Sequence, residues 1–243
     1  MTKLSVVIPV FNERKTIGVI INRVLAEETP KEIIVVDDDS TDGTWEIIQN
    51  LRLPYRVNKI QSHNSKLKIL RNEKNMGKGA AVRKGIDSAT GDVLIIQDAD
   101  LEYDPKYYKP LLTPITSGKA KVVYGSRLKT MKLAFWGREK TPLPLHYLAN
   151  LFLSFLTNIL YGSNLTDMET GYKMMVKEVY KSLDLKSNRF EIEPEITAQI
   201  LKKGFTILEV PISTKPRSYR EGKKIKARDS LLAILTLLRN WKN

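Results

Sequence analysis

The segment 94–104, LIIQDADLEYD, sets Asp98, Asp100 and Glu102 two residues apart at the end of an apolar run. Along an extended chain, side chains two apart share a face, so the three carboxylates are expected to point the same way. Carboxylates that close repel one another unless a cation sits among them. Mg²⁺ or Mn²⁺ held by one or two carboxylates plus substrate phosphates is the usual arrangement at a nucleotide site. The plainer alternative is that Asp98 to Asp104 caps the helix that follows. The chain has no cysteine and only two histidines, His63 and His146. Thiolate and histidine-rich metal sites are therefore excluded, and any metal is a hard ion on oxygen ligands.

The elements that must position these carboxylates alternate. Apolar runs Leu4–Val10, Ile33–Val36, Lys68–Leu70, Val93–Gln97 and Val122–Gly125 read as strands. Between them lie helical periods: Ile17 to Leu25 with Thr16 as a candidate N-cap, Ser40 through Leu51, Lys78 to Ala89, and Pro105 to Ser117. Short, continuously apolar strands separated by helices predict an α/β fold whose mostly parallel sheet is covered on both faces. Ligands of such sheets bind beyond the carboxyl ends of the strands. That rule selects Asn12 and Glu13, Asp37 to Asp39, Arg71 to Lys78, Asp98 to Glu102, and Ser126 with Arg127.

The second half is less regular. Lys129–Pro144 reads as a loop, and 145–161 (LHYLANLFLSFLTNILY) as a strongly apolar helix. The polar turn 167–173 (DMETGYK) enters another element. Glu193–Lys203 reads as a helix, Thr206–Val210 as a strand and Asp229–Trp241 as a closing amphipathic helix. The stretch Pro54–Lys66 has no pattern. With 243 residues, 42% of them apolar, the chain suits one domain over 1–243. Residues 1–126 make its regular half, where the strand-end rule leads one to expect a nucleotide, and 127–243 its irregular half, expected to meet an acceptor.

The net charge of +13 predicts attraction to anionic partners. Between Lys202 and Arg228, nine Lys or Arg stand against Glu209 and Glu221, so more than half of the excess lies there. A solvated face is the plain alternative. No signal peptide and no membrane-spanning run is expected, which suits a cytoplasmic protein, peripheral on the membrane if it meets one. A nucleic-acid binder would use the charge directly, but no aromatic stacking platform accompanies it.

The chain resembles the inverting family 2 glycosyltransferases of the GT-A fold, in particular the group that makes dolichyl- or polyprenyl-phosphate mannose or glucose. The resemblance covers nearly the whole chain. It rests on VIPVFNE at 7–13, IVVDDDSTDGT at 34–44, NMGKGA at 75–80, Asp98-Ala99-Asp100, Gly125-Ser126-Arg127, DMETGYK at 167–173, and the basic stretch 217–224. It implies that Pro9, Val10, Phe11, Asn12, Glu13 and Asp37, Asp38 and Asp39 hold the base and ribose of a GDP- or UDP-linked sugar. It places Asn75, Gly77 and Lys78 near the donor, with Gly77 and Gly79 letting the backbone approach and Lys78 reaching phosphate. Asp98 and Ala99 would also contact the donor. Asp100 would ligate the metal, with Asp98 supporting and Glu102 as a further ligand. Arg127, Arg217, Arg220, Lys223 and Lys224 would meet the phosphate of a lipid acceptor.

The implied reaction is a single displacement at the anomeric carbon. A polyprenyl phosphate acceptor is already ionised at neutral pH, so positioning is the protein's main task. A sugar-hydroxyl acceptor would need a base, for which Asp167 and Glu169 are the candidates. Leu148, Leu151, Phe152, Phe155, Leu156, Ile159 and Leu160 form an apolar stripe, and Leu231 to Leu238 a second. Both read either as core or as a membrane-interface surface. A sugar-1-phosphate nucleotidyltransferase shares the sheet and the metal but opens with a glycine-rich loop where this chain has Pro9-Val-Phe-Asn-Glu13.

Overall fold

In the computed structural model, residues 2–51, 66–130, 144–217, 222, 224 and 227–242 are described. Arg220 and Lys223, nearly all of the patternless stretch 54–66, and 131–143 lie outside them.

The first half follows the predicted alternation: β1 (Leu4–Val10), α1 (Ile17–Ala26), β2 (Lys31–Asp37), α2 (Thr44–Leu51), β3 (Lys66–Arg71), α3 (Lys78–Ser88), β4 (Val93–Ile96), α4 (Tyr108–Thr116) and β5 (Val122–Ser126). The second half adds α5 (Pro144–Tyr161), β6 (Lys173–Val176), α6 (Lys177–Ser182), α7 (Ile192–Lys202), β7 (Ile207–Pro211) and α8 (Ala227–Lys242). These strands make one seven-stranded sheet in the order β3-β2-β1-β4-β6-β5-β7. All neighbours pair parallel except β6, which runs antiparallel to both β4 and β5.

Every residue of β1 and β2 is buried, as continuous apolar runs require when helices cover both faces. Successive residues serve opposite cores. Val6, Ile8, Ile33, Val35, Ile95 and Met174 pack toward α1, α2 and α4. Val7, Ile34, Val36, Leu94, Ile96 and Met175 pack toward α3, α6 and α7. A smaller core joins Leu153 of α5, Ala198 of α7 and Ala233 and Leu237 of α8.

Three expectations change. Thr16 stands at the N-cap of α1 without capping it; its hydroxyl donates to Glu13 instead, at 2.8 Å to Oε2. The second helix begins at Thr44, after the turn that Asp42 closes by accepting from the Thr44 N–H. The fourth strand ends at Ile96, because the buried Gln97 amide holds a turn: it accepts from the Tyr108 and Tyr172 hydroxyls and donates to the Asp98 and Tyr103 carbonyls. The apolar helix α5 is no core helix either. Leu148, Leu151, Phe152, Phe155 and Ile159 are exposed, Phe155 by 61%. Leu156 and Leu160 turn inward against the small core. On α8, which packs beside α5, Leu231, Leu232 and Leu235 are exposed.

Candidate active site

A cleft of about 320 Å³ opens at the carboxyl ends of β1, β2 and β4. Pro9, Val10, Phe11, Glu13, Asp38, Asn75, Gly77, Lys78, Asp98, Ala99, Asp100, Glu102, Arg127, Glu169, Arg217 and Lys224 line it, so most of the residues selected from sequence converge there. Asn12, Asp37, Asp39 and Asp167 stand behind the lining. Three non-glycine residues at these strand ends, Asn12, Asp39 and Leu101, have positive φ of 51°, 61° and 65°. Such backbone is costly and clusters where geometry serves a site.

The β2 exit is held by its own acids. Asp38 accepts from the Met76 and Gly77 N–H groups and from the Asn72 amide, at 3.0, 2.6 and 2.7 Å. It thus fixes the loop that leads into α3, and the Asn75 amide adds a bond to the Asp38 carbonyl. Asp37 takes Arg71 on Oδ2 and leaves Oδ1 buried without a partner among the described residues. Asp39 pairs with the same arginine at 2.9 Å. Asn12 links β1 to this turn, accepting from Thr41 N–H on its Oδ1 and donating its own N–H to the Ser40 hydroxyl.

The glycines of the 75–80 segment, of which Gly77 lines the cleft, also make room for protein on the side where a side chain would project. A side chain at Gly77 would meet the Asn188 carbonyl at 2.5 Å, and one at Gly79 the Ser187 carbonyl at 2.4 Å. The space is filled by the segment before α7, not left open for a ligand. Gly77 also needs its φ of +100°.

The acids after β4 stand on a turn rather than along a strand, yet Asp98, Asp100 and Glu102 all line the cleft. Asp98 faces the Lys78 ammonium at 2.7 Å, and Lys78 also meets Glu193 of α7 at 2.9 Å. Asp100 faces the Arg217 guanidinium at 3.1 Å and accepts from Glu102 N–H. Burial, then the Asp98 and Glu102 carboxylates, push the Asp100 carboxyl up to about 7. Arg217 also grips Glu13 through both terminal nitrogens, at 3.0 and 3.1 Å, while Lys224 sits 2.8 Å from the same carboxylate. Burial alone would raise Glu13; the hydrogen bonds from Arg217 and Lys224 outweigh it and hold the carboxyl below its usual range. Arg217 and Lys224 are thus strapped across the cleft, Lys224 on Glu13 and Arg217 on Glu13, Asp100 and Glu102.

The donor set suits a hard divalent ion. Among the described residues no three acids or histidines converge as a self-sufficient metal cage. Asp100, with the neighbouring carboxylates destabilising its charge, has the hard oxygens that such an ion would take, with phosphates and water needed to complete its shell. Arg217 now supplies the positive charge that the acids require.

The two candidate bases separate cleanly. Asp167 is fully buried and spent: Arg127 binds it from Nε and Nη2 at 2.7 Å each and from its backbone N–H, and Asn150 adds an amide bond. Burial raises its carboxyl, but Arg127 outweighs burial and holds it below the ordinary range. Arg127 is correspondingly committed to Asp167. Glu169 lines the cleft with a buried Oε1 that has no partner among the described residues, and burial chiefly pushes its carboxyl up to about 7.

Sequence reasoning missed part of the wall. Arg189, Phe190 and Glu193 line the cleft from the start of α7. Glu193 joins Lys78 to Lys173, which is buried in β6 and donates to Glu193 at 2.5 Å and to the Met168 and Thr170 carbonyls. The acids at 191, 193 and 195 read only as an ordinary acidic helix start.

A model of the family described as glycosyl transferase family 2 matches residues 5–184. A dolichol-phosphate mannosyltransferase of Pyrococcus furiosus is 31% identical over 226 residues, covering 91% of this chain, which spans 59% of that protein's length. A UDP-N-acetylglucosamine–dolichyl-phosphate N-acetylglucosaminyltransferase of Methanococcus voltae is 32% identical, covering 87% of this chain and 85% of that one. Among solved structures, glucosyl-3-phosphoglycerate synthase from Mycobacterium tuberculosis in complex with Mg²⁺ and uridine diphosphate superposes with a TM-score of 0.70 at 20% identity, covering 99% of this chain and 80% of that chain. With a family match over most of its length and a GT-A sheet to carry it, the chain belongs to glycosyl transferase family 2 and is a glycosyltransferase of the GT-A fold.

Proposed function

We propose that this glycosyltransferase moves a hexosyl group from a nucleoside diphosphate sugar to a polyprenyl phosphate at a membrane surface. One observation carries the reading: a cleft floored by Asp98 and Asp100 and crossed by Arg217 and Lys224 lies in the same molecule as the exposed apolar faces of α5 and α8. The acids suit the metal and hydroxyls of a nucleotide sugar, and the cations suit phosphate. The apolar faces suit the interfacial zone of a bilayer, with Arg228, Arg239 and Lys242 of α8 available to anionic headgroups. No helix among the described residues is long and apolar enough to cross a membrane. The two curated relatives, named for dolichol- or dolichyl-phosphate acceptors, support the same acceptor class.

Pro9 to Glu13 and Asp37 to Asp39 frame the base and ribose. Asp100, with Asp98 and Glu102 beside it, is the ligand set for Mg²⁺ or Mn²⁺; such an ion stabilises the negative charge of a departing diphosphate. The Mg²⁺ and uridine diphosphate of the solved neighbour agree with that choice. On this reading Arg217 and Lys224 leave their carboxylates when the donor and its cation arrive, and become free to hold the acceptor phosphate. Lys78, tied to Asp98 and Glu193, positions the metal-side acid rather than reaching phosphate itself. Arg127 and Asp167 form a closed pair that fixes the cleft wall behind the acceptor.

No proton need be removed from an ionised phosphate acceptor. A hydroxyl acceptor would need a base, and with Asp167 spent on Arg127 that role would fall to Glu169. The experiment supplies the protein with radiolabelled UDP-glucose, GDP-mannose or UDP-N-acetylglucosamine and Mn²⁺. Short-chain polyprenyl phosphate in detergent is offered beside free monosaccharides. Label entering the organic phase with one donor is expected; label found only in water-soluble saccharide would transfer the reading to a hydroxyl acceptor.

A further inference from the structure

Glu169 enters the cleft from the turn that precedes β6. Its Oε1 is buried and meets no hydrogen-bonding group among the described residues. A buried polar atom without a partner is costly, so a native chain that carries one at a cleft wall calls for a partner that arrives with the ligand. The cations around it are already committed. Lys173 donates to the Met168 and Thr170 carbonyls and to Glu193. Lys78 is shared between Asp98 and Glu193, and Arg127 is closed on Asp167.

The chemistry of this wall narrows what it can hold. Asp98, Glu169 and Glu193 contribute carboxyl groups, which accept from hydroxyls, and Arg189 adds a guanidinium, which donates to them. Phe190 adds one apolar ring. A neutral, hydroxyl-bearing group fits such a wall. The position also fits: Gly171, two residues after Glu169, passes so close to Asp98 that an added side-chain carbon would lie 2.6 Å from its Oδ2. Glu169 therefore reaches the cleft beside the acids that suit the diphosphate and its metal, where the transferred sugar must sit.

We infer that this wall is the pocket for the transferred hexose, and that Glu169 accepts a hydrogen bond from one of its hydroxyls. The inference rests on the nucleotide-sugar reading above and adds to it the residue that distinguishes a sugar-bearing donor from the bare nucleotide.

The test measures binding by calorimetry, with Mn²⁺, of UDP, GDP, UDP-glucose and GDP-mannose to the wild-type protein, Glu169→Gln and Glu169→Ala. Thermal midpoints of the variants verify folding. Expected is a loss of about tenfold or more in nucleotide-sugar affinity for Glu169→Ala, with affinity for the matching free nucleotide unchanged and Glu169→Gln close to wild type. Equal losses for nucleotide and nucleotide sugar would overturn the assignment in favour of a structural role. Unchanged sugar-nucleotide affinity with lost turnover would overturn it in favour of a base. Binding of none of the four ligands by the wild-type protein would instead remove the donor reading itself.

Discussion

Glu193 is the joint between the buried sheet and the cleft, and its removal has a calculable cost. Its two oxygens serve Lys173, which has no solvent exposure, and Lys78, which is 16% exposed. Burial pushes the Glu193 carboxyl up, but Lys173 and Lys78 together outweigh it and hold the group at about 2, so it is ionised at any working pH. In Glu193→Ala, Lys173 keeps two carbonyl acceptors but loses its only ion-pair partner among the described residues. Breaking a buried pair from one side costs about 3–5 kcal/mol, and the remaining carbonyls favour the lower end. With a urea dependence of about 3 kcal/mol per molar for a chain of this size, the unfolding midpoint should fall by about 1 M. Lys173→Met alone should be costly for the mirror-image reason, since it strands Glu193. The pair Lys173→Met with Glu193→Leu should recover a large part of the summed loss, as apolar replacement of a buried pair often does. Additivity of the two single changes to within about 0.5 kcal/mol would refute the claim that the pair acts as a unit.

Two further outcomes follow from the same structure. Glu32, buried at the amino end of β2, accepts from the Ser5 hydroxyl at 2.6 Å and from the Thr90 and Gly91 N–H groups; burial raises its carboxyl, but these bonds outweigh burial and lower it from 4.5 to about 2. A depressed carboxyl stabilises the fold fully above its unfolded value and progressively less as the pH falls toward its folded value. The stability gap between wild type and Glu32→Gln should thus be about 3 kcal/mol near pH 6 and close between pH 4.5 and 2 in urea titrations; a gap independent of pH would contradict it. On the exposed face of α5, Phe155→Glu should leave the thermal midpoint within a degree or two, at roughly the 0.5 kcal/mol scale of surface changes. The same change should abolish co-flotation with anionic vesicles at low salt, and retention of flotation would place the membrane contact elsewhere.

The fold's first half was legible because β1 and β2 are apolar without interruption, which only a doubly covered strand needs. The rule that ligands sit beyond strand ends then drew Glu13, Asp38, Asn75, Asp98, Asp100 and Arg127 to one cleft. What stayed hidden depended on contacts distant in sequence. Strand β6 has four residues and opens on a lysine, which reads as surface until Glu193 is known to meet it twenty residues later. Gln97 reads as the last strand residue, yet its amide, held by two tyrosines, ends the strand, so that the acids stand on a turn. Gly77 and Gly79 look like a ligand-approach motif, but the room they leave is taken by Ser187 and Asn188. The choice between Asp167 and Glu169 could not be made from a seven-residue motif, since it turns on Arg127 and Asn150 closing around one of them.

The account stands most directly on Asp100 as the metal-side acid of a nucleotide site. Calorimetric titration of UDP and GDP into wild type and Asp100→Asn, with and without Mn²⁺, tests it. One nucleotide should bind wild type more tightly when Mn²⁺ is present, and Asp100→Asn should lose this metal-dependent gain while unfolding at an unchanged or higher temperature. A metal-dependent gain that survives in Asp100→Asn, or nucleotide affinity in the wild-type protein that is indifferent to Mn²⁺, would contradict it.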